Sequence, residues 1–346
     1  MKTKISLLII AVLFGINTQA QKIVALHTAT GVQFFSDDNP LQSAYTAATD
    51  NDTIYLPGGS FAPPAKFEKK LRIIGVGHYP SATTATFPTI ISGNINLSDE
   101  ADGFYLEGVK ITRSIVFDSN ESINNVVIKR CLIDYNYGGI SINGDRTNPS
   151  ENCIFQENIF HGIDARNLLN STLFNNIIED RINEARSLTI LNNIFLYSYY
   201  RYPAIGYANG CMIKNNVFLK DTRNDIVGGA GQSTYSHNIF AYTGTSDLGL
   251  GTDPITDNNY TMTRADILVN QTGGDFDYTN DYHLTATAQA NPGDDGTDCG
   301  IYGGFYPWKD ESIPGTPHIS SKNISNTTDN ATGTIHIDIN VHAQDR

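Results

Sequence analysis

The sequence predicts an all-β chain wound into a parallel β-helix, a solenoid of short stacked strands. Three features support this: one short phrase recurs, its period is near 20 residues, and its spacing is uneven. The copies are Ile-Phe-Gln-Glu-Asn158-Ile-Phe, Leu-Phe-Asn-Asn176-Ile-Ile, Ile-Leu-Asn-Asn193-Ile-Phe, Ile-Lys-Asn-Asn216-Val-Phe and Tyr-Ser-His-Asn238-Ile-Phe. A degenerate copy, Ile128-Lys-Arg-Cys131-Leu-Ile, precedes them, and the marked positions are separated by 27, 18, 17, 23 and 22 residues. A period this short is too small for a pair of helices and suits one turn of a β-solenoid. The Leu-x-x-Leu-x-Leu framework of a leucine-rich repeat, the main rival, is absent. Loops that vary between fixed strands account for the uneven steps.

Each phrase places a polar residue between apolar ones. Asn tolerates positive φ at low cost, so Asn158, Asn176, Asn193, Asn216 and Asn238 are read as turn residues. Stacked in register, their side chains form a hydrogen-bonded ladder. Leu106-Glu-Gly108-Val109-Lys-Ile111 fits the same phrase with Gly108 in the turn slot, as the backbone argument allows. Coils stacked this way bury inward apolar side chains and satisfy one another's backbone bonds.

Taken in order, the chain opens with a targeting signal, residues 1–20. Lys2 and Lys4 precede the apolar run Ile5 to Ile16, and Thr18-Gln19-Ala20 ends in small residues. The run is short for a bilayer span. The expected location is therefore secreted, cell-surface or periplasmic, with no membrane span once the signal is removed.

Residues 21–305 form the expected solenoid domain. Asn39 and Pro40 suit the start of a short helix, and Leu41, Ala44, Tyr45 and Ala48 give it one apolar face. It is expected to cover the first coil, whose edge would otherwise expose apolar groups and unpaired backbone. Asp52 to Gly59, Leu71 to Val76, Thr89 to Leu97 and Phe104 to Phe117 read as strand-and-turn lines. After Phe240 the phrase fades. Ile255 to Asn259 and Ala265 to Val269 read as worn coils, Asp281 to Leu284 as a last strand, and Cys299 to Gly304 as a closing turn. Residues 306–346 read as a Pro-punctuated linker with a strand appendage, since Ile335, Ile337, Ile339 and Val341 alternate with polar residues.

Composition narrows the partners. A formal charge of −13 argues against nucleic acid, whose phosphates need a basic face. Cys153 and Cys211 share a repeat column but lie three coils apart, roughly 14 Å at the strand spacing, while bridged Cα atoms sit within about 7 Å. Cys131 is in another column, so these and Cys299 are expected as four buried thiols. Asp294-Asp295-Gly-Thr-Asp298 lacks the ligand spacing of an EF-hand and reads as a polar turn.

These copies, with the N-terminal helix and strand, resemble the right-handed parallel β-helix of the pectin-lyase-like superfamily over roughly Leu41 to Tyr302. The resemblance implies a single-stranded right-handed solenoid with an N-terminal capping helix. It speaks to fold and little to activity; the expected partner, a polysaccharide or cell-surface glycan, rests on the candidate residues below. The superfamily includes lyases, hydrolases, tailspikes and binding proteins. Its recognisable catalytic strings, such as the Asn-Thr-Asp, Asp-Asp and Gly-His-Gly set of the polygalacturonases, are absent here.

The candidate site comes from residues at similar offsets after each turn Asn, which share one side of a solenoid. They are Asp134, Tyr135 and Tyr137; His161, Asp164 and Arg166; Glu179, Asp180 and Arg181; Tyr197, Tyr199, Tyr200, Arg201 and Tyr202; and Lys220, Asp221, Arg223 and Asp225. Five coils make a strip about 20 to 25 Å long. Tyr135, Tyr137, His161, Tyr199, Tyr200, Arg201, Asp221 and Arg223 suit sugars, whose ring faces stack on aromatics and whose hydroxyls pair with charged groups. A solvated loop face is the alternative reading. A hydrolase would need two carboxylates about 5 to 10 Å apart, such as Asp164 with Asp180 or Glu179 with Asp134. A lyase would need a base such as Arg166, Arg181 or Arg201, with calcium on Asp164, Asp180 and Asp221. The expectation is binding without catalysis and without a cofactor, with the lyase, its calcium, and the hydrolase as alternatives. A structural or adhesion role is the further alternative.

Overall fold

The computed structural model describes residues 22–342 apart from 120, 135–138, 145, 197–201, 221–225, 230, 245–247 and 330. Three sheets run along a parallel solenoid. The longest has twelve strands, the second ten and the third five. Successive turns of the chain add strands to the two longer sheets, and five of them also add one to the third, so strands far apart in sequence pair in parallel register. Thr172, Leu173 and Phe174, for example, pair with Thr189, Ile190 and Leu191 of the next coil. In eight consecutive strands of the twelve-stranded sheet the middle residue points inward, giving a buried column of Ile73, Leu106, Ile128, Phe155, Leu173, Ile190, Ile213 and Tyr235. A second inward column ends in stacked rings, with Phe195 and Phe218 centroids 4.5 Å apart and Phe218 and Phe240 5.0 Å apart.

The asparagine ladder is present and longer than the phrase suggested. Asn158 Oδ1 accepts from Cys131 N at 3.0 Å, Asn176 Oδ1 from Asn158 N at 2.9 Å, and Asn193 Oδ1 from Asn176 N at 2.9 Å. Asn216 and Asn238 continue it, and Asn259 Oδ1 adds a rung by accepting from Asn238 N at 3.1 Å. One assignment is corrected. The residue with positive φ is the one before each ladder position: Arg130 (51°), Glu157 (53°), Asn175 (53°), Asn192 (52°), Asn215 (57°) and His237 (55°). Gly108 (φ 69°) belongs with these, because Glu107 pairs with Lys129, so Val109 takes the ladder slot. The left-handed residue makes the bend, and the following side chain turns inward to tie coil to coil.

The helix Pro40–Ala47 lies where expected, with Pro40, Leu41, Ala44 and Tyr45 buried. Asn39 occupies its N-cap position without a side-chain cap bond. An antiparallel hairpin, Val24–Thr28 with Gly31–Phe35, also joins this end and pairs with Thr53–Tyr55 of the first coil. All four cysteines are buried free thiols. Burial pushes the Cys131, Cys153 and Cys299 thiols up to about 12.

The C-terminal third departs from the sequence reading. Asp281–Leu284 pairs antiparallel with Leu268–Asn270 instead of extending a coil. The chain then turns back along the ten-stranded sheet. Ile267, Leu268, Tyr282, Leu284, Cys299, Ile301 and Trp308 cover an outward row formed by Leu132, Ile159, Ile177, Ile194, Val217 and Ile239. This explains the two adjacent large apolar residues in every phrase: Ile194 faces the cover and Phe195 faces the core, so both sides of that sheet are dry. The left-handed column anchors the returning chain. Asn215 O accepts from Gly300 N at 2.7 Å, Asn175 Nδ2 donates to Ile301 O at 2.7 Å, and Arg130 Nη1 donates to Ile313 O at 3.2 Å. The alternating segment near the C-terminus forms the strand Ile337–His342, which pairs antiparallel with His318–Ile324. Its apolar side chains Ile337, Ile339 and Val341 are exposed, not half-buried as the alternation implied.

Candidate functional site

From five strands of the ten-stranded sheet the chain turns a corner and enters the five-stranded sheet. Gly139–Ile142, Gly162–Asp164 and Ile182–Asn183 stack there in three successive coils. Their register sets Ser141, Asp164 and Asn183 side by side on the outer face. Backbones approach closely beneath them: a Cβ on Gly139 would lie 2.0 Å from Gly162 O. Glycine is required there because a side chain would push the coils apart.

Above this floor is an open cleft of about 410 Å³ lined by Ser141, His161, Asp164, Arg166, Asp180, Arg181 and Asn183, with Gly139, Ile140, Gly162 and Ile163. Asp164 and Arg166 form a fork, with Arg166 Nη2 donating to Asp164 Oδ2 at 2.7 Å and Arg166 Nε to Oδ1 at 3.0 Å. Arg186 Nη2 braces the loop by donating to Arg166 O at 2.6 Å. The Arg181 guanidinium lies 4.4 Å over the Tyr202 ring and its Nε is 3.9 Å from Asp180 Oδ2. His161 stands between two carboxylates, 3.8 Å from Asp180 and 4.0 Å from Glu179. Burial raises the pKa of both Glu179 and Asp180 from the ordinary carboxylate value, opposed on Glu179 by the Phe276 amide and His161 and on Asp180 by His161 and Arg181. A raised carboxylate favours the folded state below its ordinary pKa and withdraws that contribution as pH climbs through the raised value.

The structure thus gathers His161, Asp164, Arg166, Asp180 and Arg181 about one cleft. Glu179 is turned away, with its Oε1 accepting from Phe276 N at 2.7 Å, so it holds the returning chain. Asp134 is ion-paired with Lys110 at 2.5 Å. Tyr135, Tyr137, Tyr199, Tyr200, Arg201, Asp221 and Arg223, with Tyr197 and Asp225, lie outside the described residues. Among the described residues no group of three His, Cys, Asp or Glu side chains is placed to hold a metal. Ser141 and Asn183 escaped the offset reasoning. Asp164 lies six residues after Asn158 and Asn183 seven after Asn176, yet they pair, because the corner is one residue longer in the second coil.

Exposed guanidinium and carboxylate groups on a short-walled cleft, beside serine and asparagine, suit a ligand rich in hydroxyls. They present donors and acceptors together at fixed spacing. The fold and the cleft define a parallel β-solenoid with a polar cleft on its five-stranded sheet. Comparison with known proteins finds no matching family model, no matching curated protein and no matching solved structure. Among the described residues no helix is long and apolar enough to cross a membrane.

Proposed function

We propose that this chain is an exported polysaccharide-binding solenoid, a distant relative of the pectin-lyase-like proteins, that holds a glycan in the cleft of the five-stranded sheet. One observation carries the reading: two successive coils deliver His161, Asp164, Arg166, Asp180 and Arg181 to a single cleft. Sugar hydroxyls would take hydrogen bonds from the two guanidiniums and give them to Asp164, Asp180 and Asn183. The basic start and apolar run of residues 1–20 support export.

A glycosidase or lyase is the second reading. The raised pKa of Asp180 favours it, since a general acid must hold its proton near the working pH. A glycan array, run beside uronate polysaccharides with calcium and read at the absorbance of unsaturated products and by reducing-end release, separates the two. Binding without product, weakened about tenfold or more by Arg181→Ala through loss of a charge-assisted bond, is the expected result. Product formation abolished by Asp180→Asn would replace binding with catalysis. An array without any glycan hit, or one indifferent to Arg181→Ala, overturns the proposal.

A further inference from the structure

The outward face of the twelve-stranded sheet carries a second, unassigned groove. Two cavities of about 490 and 500 Å³ lie on it and share Phe305 and Tyr306 as a common wall. Their floor runs from Arg72 and Tyr105, past Lys129 and Phe174, to Met212 and Lys214. The strands that carry these residues are seven consecutive members of the sheet, which gives a length of about 29 Å at the usual strand spacing.

The wall is aromatic and anchored. Phe305 is 93 % exposed and Tyr306 59 %, although the chain on both sides is fixed. Gly303 O accepts from Asn175 Nδ2 at 3.0 Å, and Trp308 N donates to Ile301 O at 2.7 Å. Two large rings are therefore held out in water by a tethered segment. Tyr306 leans toward Phe174, with centroids 6.1 Å apart. Exposed rings bordering a groove are the arrangement that stacks on the apolar faces of sugars.

Charge identifies what the rings face. At the Arg72 end the two acidic groups are taken up internally. Glu157 Oε2 accepts from Arg130 Nε at 2.9 Å and Glu107 Oε1 from Arg130 Nη1 at 3.3 Å. Glu157 is 1 % exposed and Glu107 5 %. The cations are what remain toward solvent. Arg72 is exposed, its guanidinium 4.1 Å over the Tyr105 ring, and it has no ion pair among the described residues. Lys309 likewise has none, and Lys129 reaches Glu157 only at 4.0 Å. At the far end Lys214 is paired with Asp294 at 3.0 Å and Asp295 also lines the cavity, so in a chain of net charge −13 the local reversal of sign belongs to the Arg72 end, where Tyr306 and Phe305 also stand.

We infer that this groove binds an anionic polysaccharide, a chain whose carboxylates or sulfates pair with Arg72, Lys129 and Lys309 while its rings pack on Tyr306 and Phe305. The site lies on a different sheet from the cleft and shares no residue with it, so it stands independently of the function proposed above. The experiment is titration calorimetry on the full mature chain with size-matched uronate, sulfated and neutral oligosaccharides. A uronate or a sulfated chain binds, and which one it is identifies the acidic group. The neutral chain is at least about tenfold weaker, and raising the salt weakens binding because exposed charges are screened. Tyr306→Ala and Arg72→Ala, both at exposed positions, each reduce affinity about tenfold, and do so equally in an Arg181→Ala background, which removes the contribution of the cleft. Equal binding of the neutral chain, or indifference to both groove variants in the Arg181→Ala background, overturns the inference.

Discussion

Asn193 stands in for several backbone groups. Its Oδ1 accepts from Asn176 N and Nδ2, both at 2.9 Å, and its Nδ2 donates to Leu173 O, Leu191 O and Asn216 Oδ1. The side chain is fully buried, so water cannot replace those bonds. Asn193→Ala strands the Asn176 amide and is expected to destabilise by about 2–4 kcal/mol, read as a lower urea midpoint at unchanged slope. Asn192→Gly, one residue earlier, keeps the positive φ that the bend needs and loses only a long contact to Asp298 O, so its expected change is within about 1 kcal/mol. Equal losses for the two would mean that the ladder is not what ties the coils. The sequence displayed both residues of the doublet but not their division of labour, since Asn suits a left-handed bend and an inward amide equally well.

The repeated pair of apolar residues is decisive at the level of the strand. A strand with one wet face alternates, whereas Ile194-Phe195 does not, because the returning chain dries the outer side of its sheet. Ile194→Ala is expected to lose about 2–4 kcal/mol, while Ile154→Ala, on the open face of the long sheet and 36 % exposed, is expected to lose less than about 1 kcal/mol. Thermal denaturation of the two variants checks this, and similar losses would contradict a covered ten-stranded sheet. The adjacent apolar residues were a legible signal that something covers them. What covers them was not legible, because residues 264–308 carry no repeat of their own and find their place only against the finished surface.

The whole molecule is a stack of coils locked by its own C-terminal chain. Arg130 sits at the lock: it satisfies Glu107 and Glu157 and also donates to Ile313 O, while Gly315 N donates to Glu107 Oε1 at 3.4 Å. Arg130→Met leaves buried Glu107 without an ion pair and Glu157 with only Lys129 at 4.0 Å, and removing one partner of a buried ion pair commonly costs about 3–5 kcal/mol. The expected result is a loss of that size, with new protease cleavage near residues 312–316. A variant that melts like the parent and resists cleavage would remove Arg130 from this role.

Residue order and spacing were enough to establish the coil, its ladder, the inward columns, the end-covering helix and the unpaired cysteines. Each of these follows from contacts between equivalent positions of neighbouring repeats, so a period in the chain encodes them. Spacing also marked five of the residues that line the cleft, because offset from a fixed turn is a coarse map of one flank. Folding in three dimensions set the rest: the one-residue shift that brings Asn183 beside Asp164, the diversion of Glu179 to the Phe276 amide, the return of the C-terminal chain and the groove under Phe305 and Tyr306. Those depend on corner lengths and on contacts between segments far apart in the chain, where no periodicity links one position to the other.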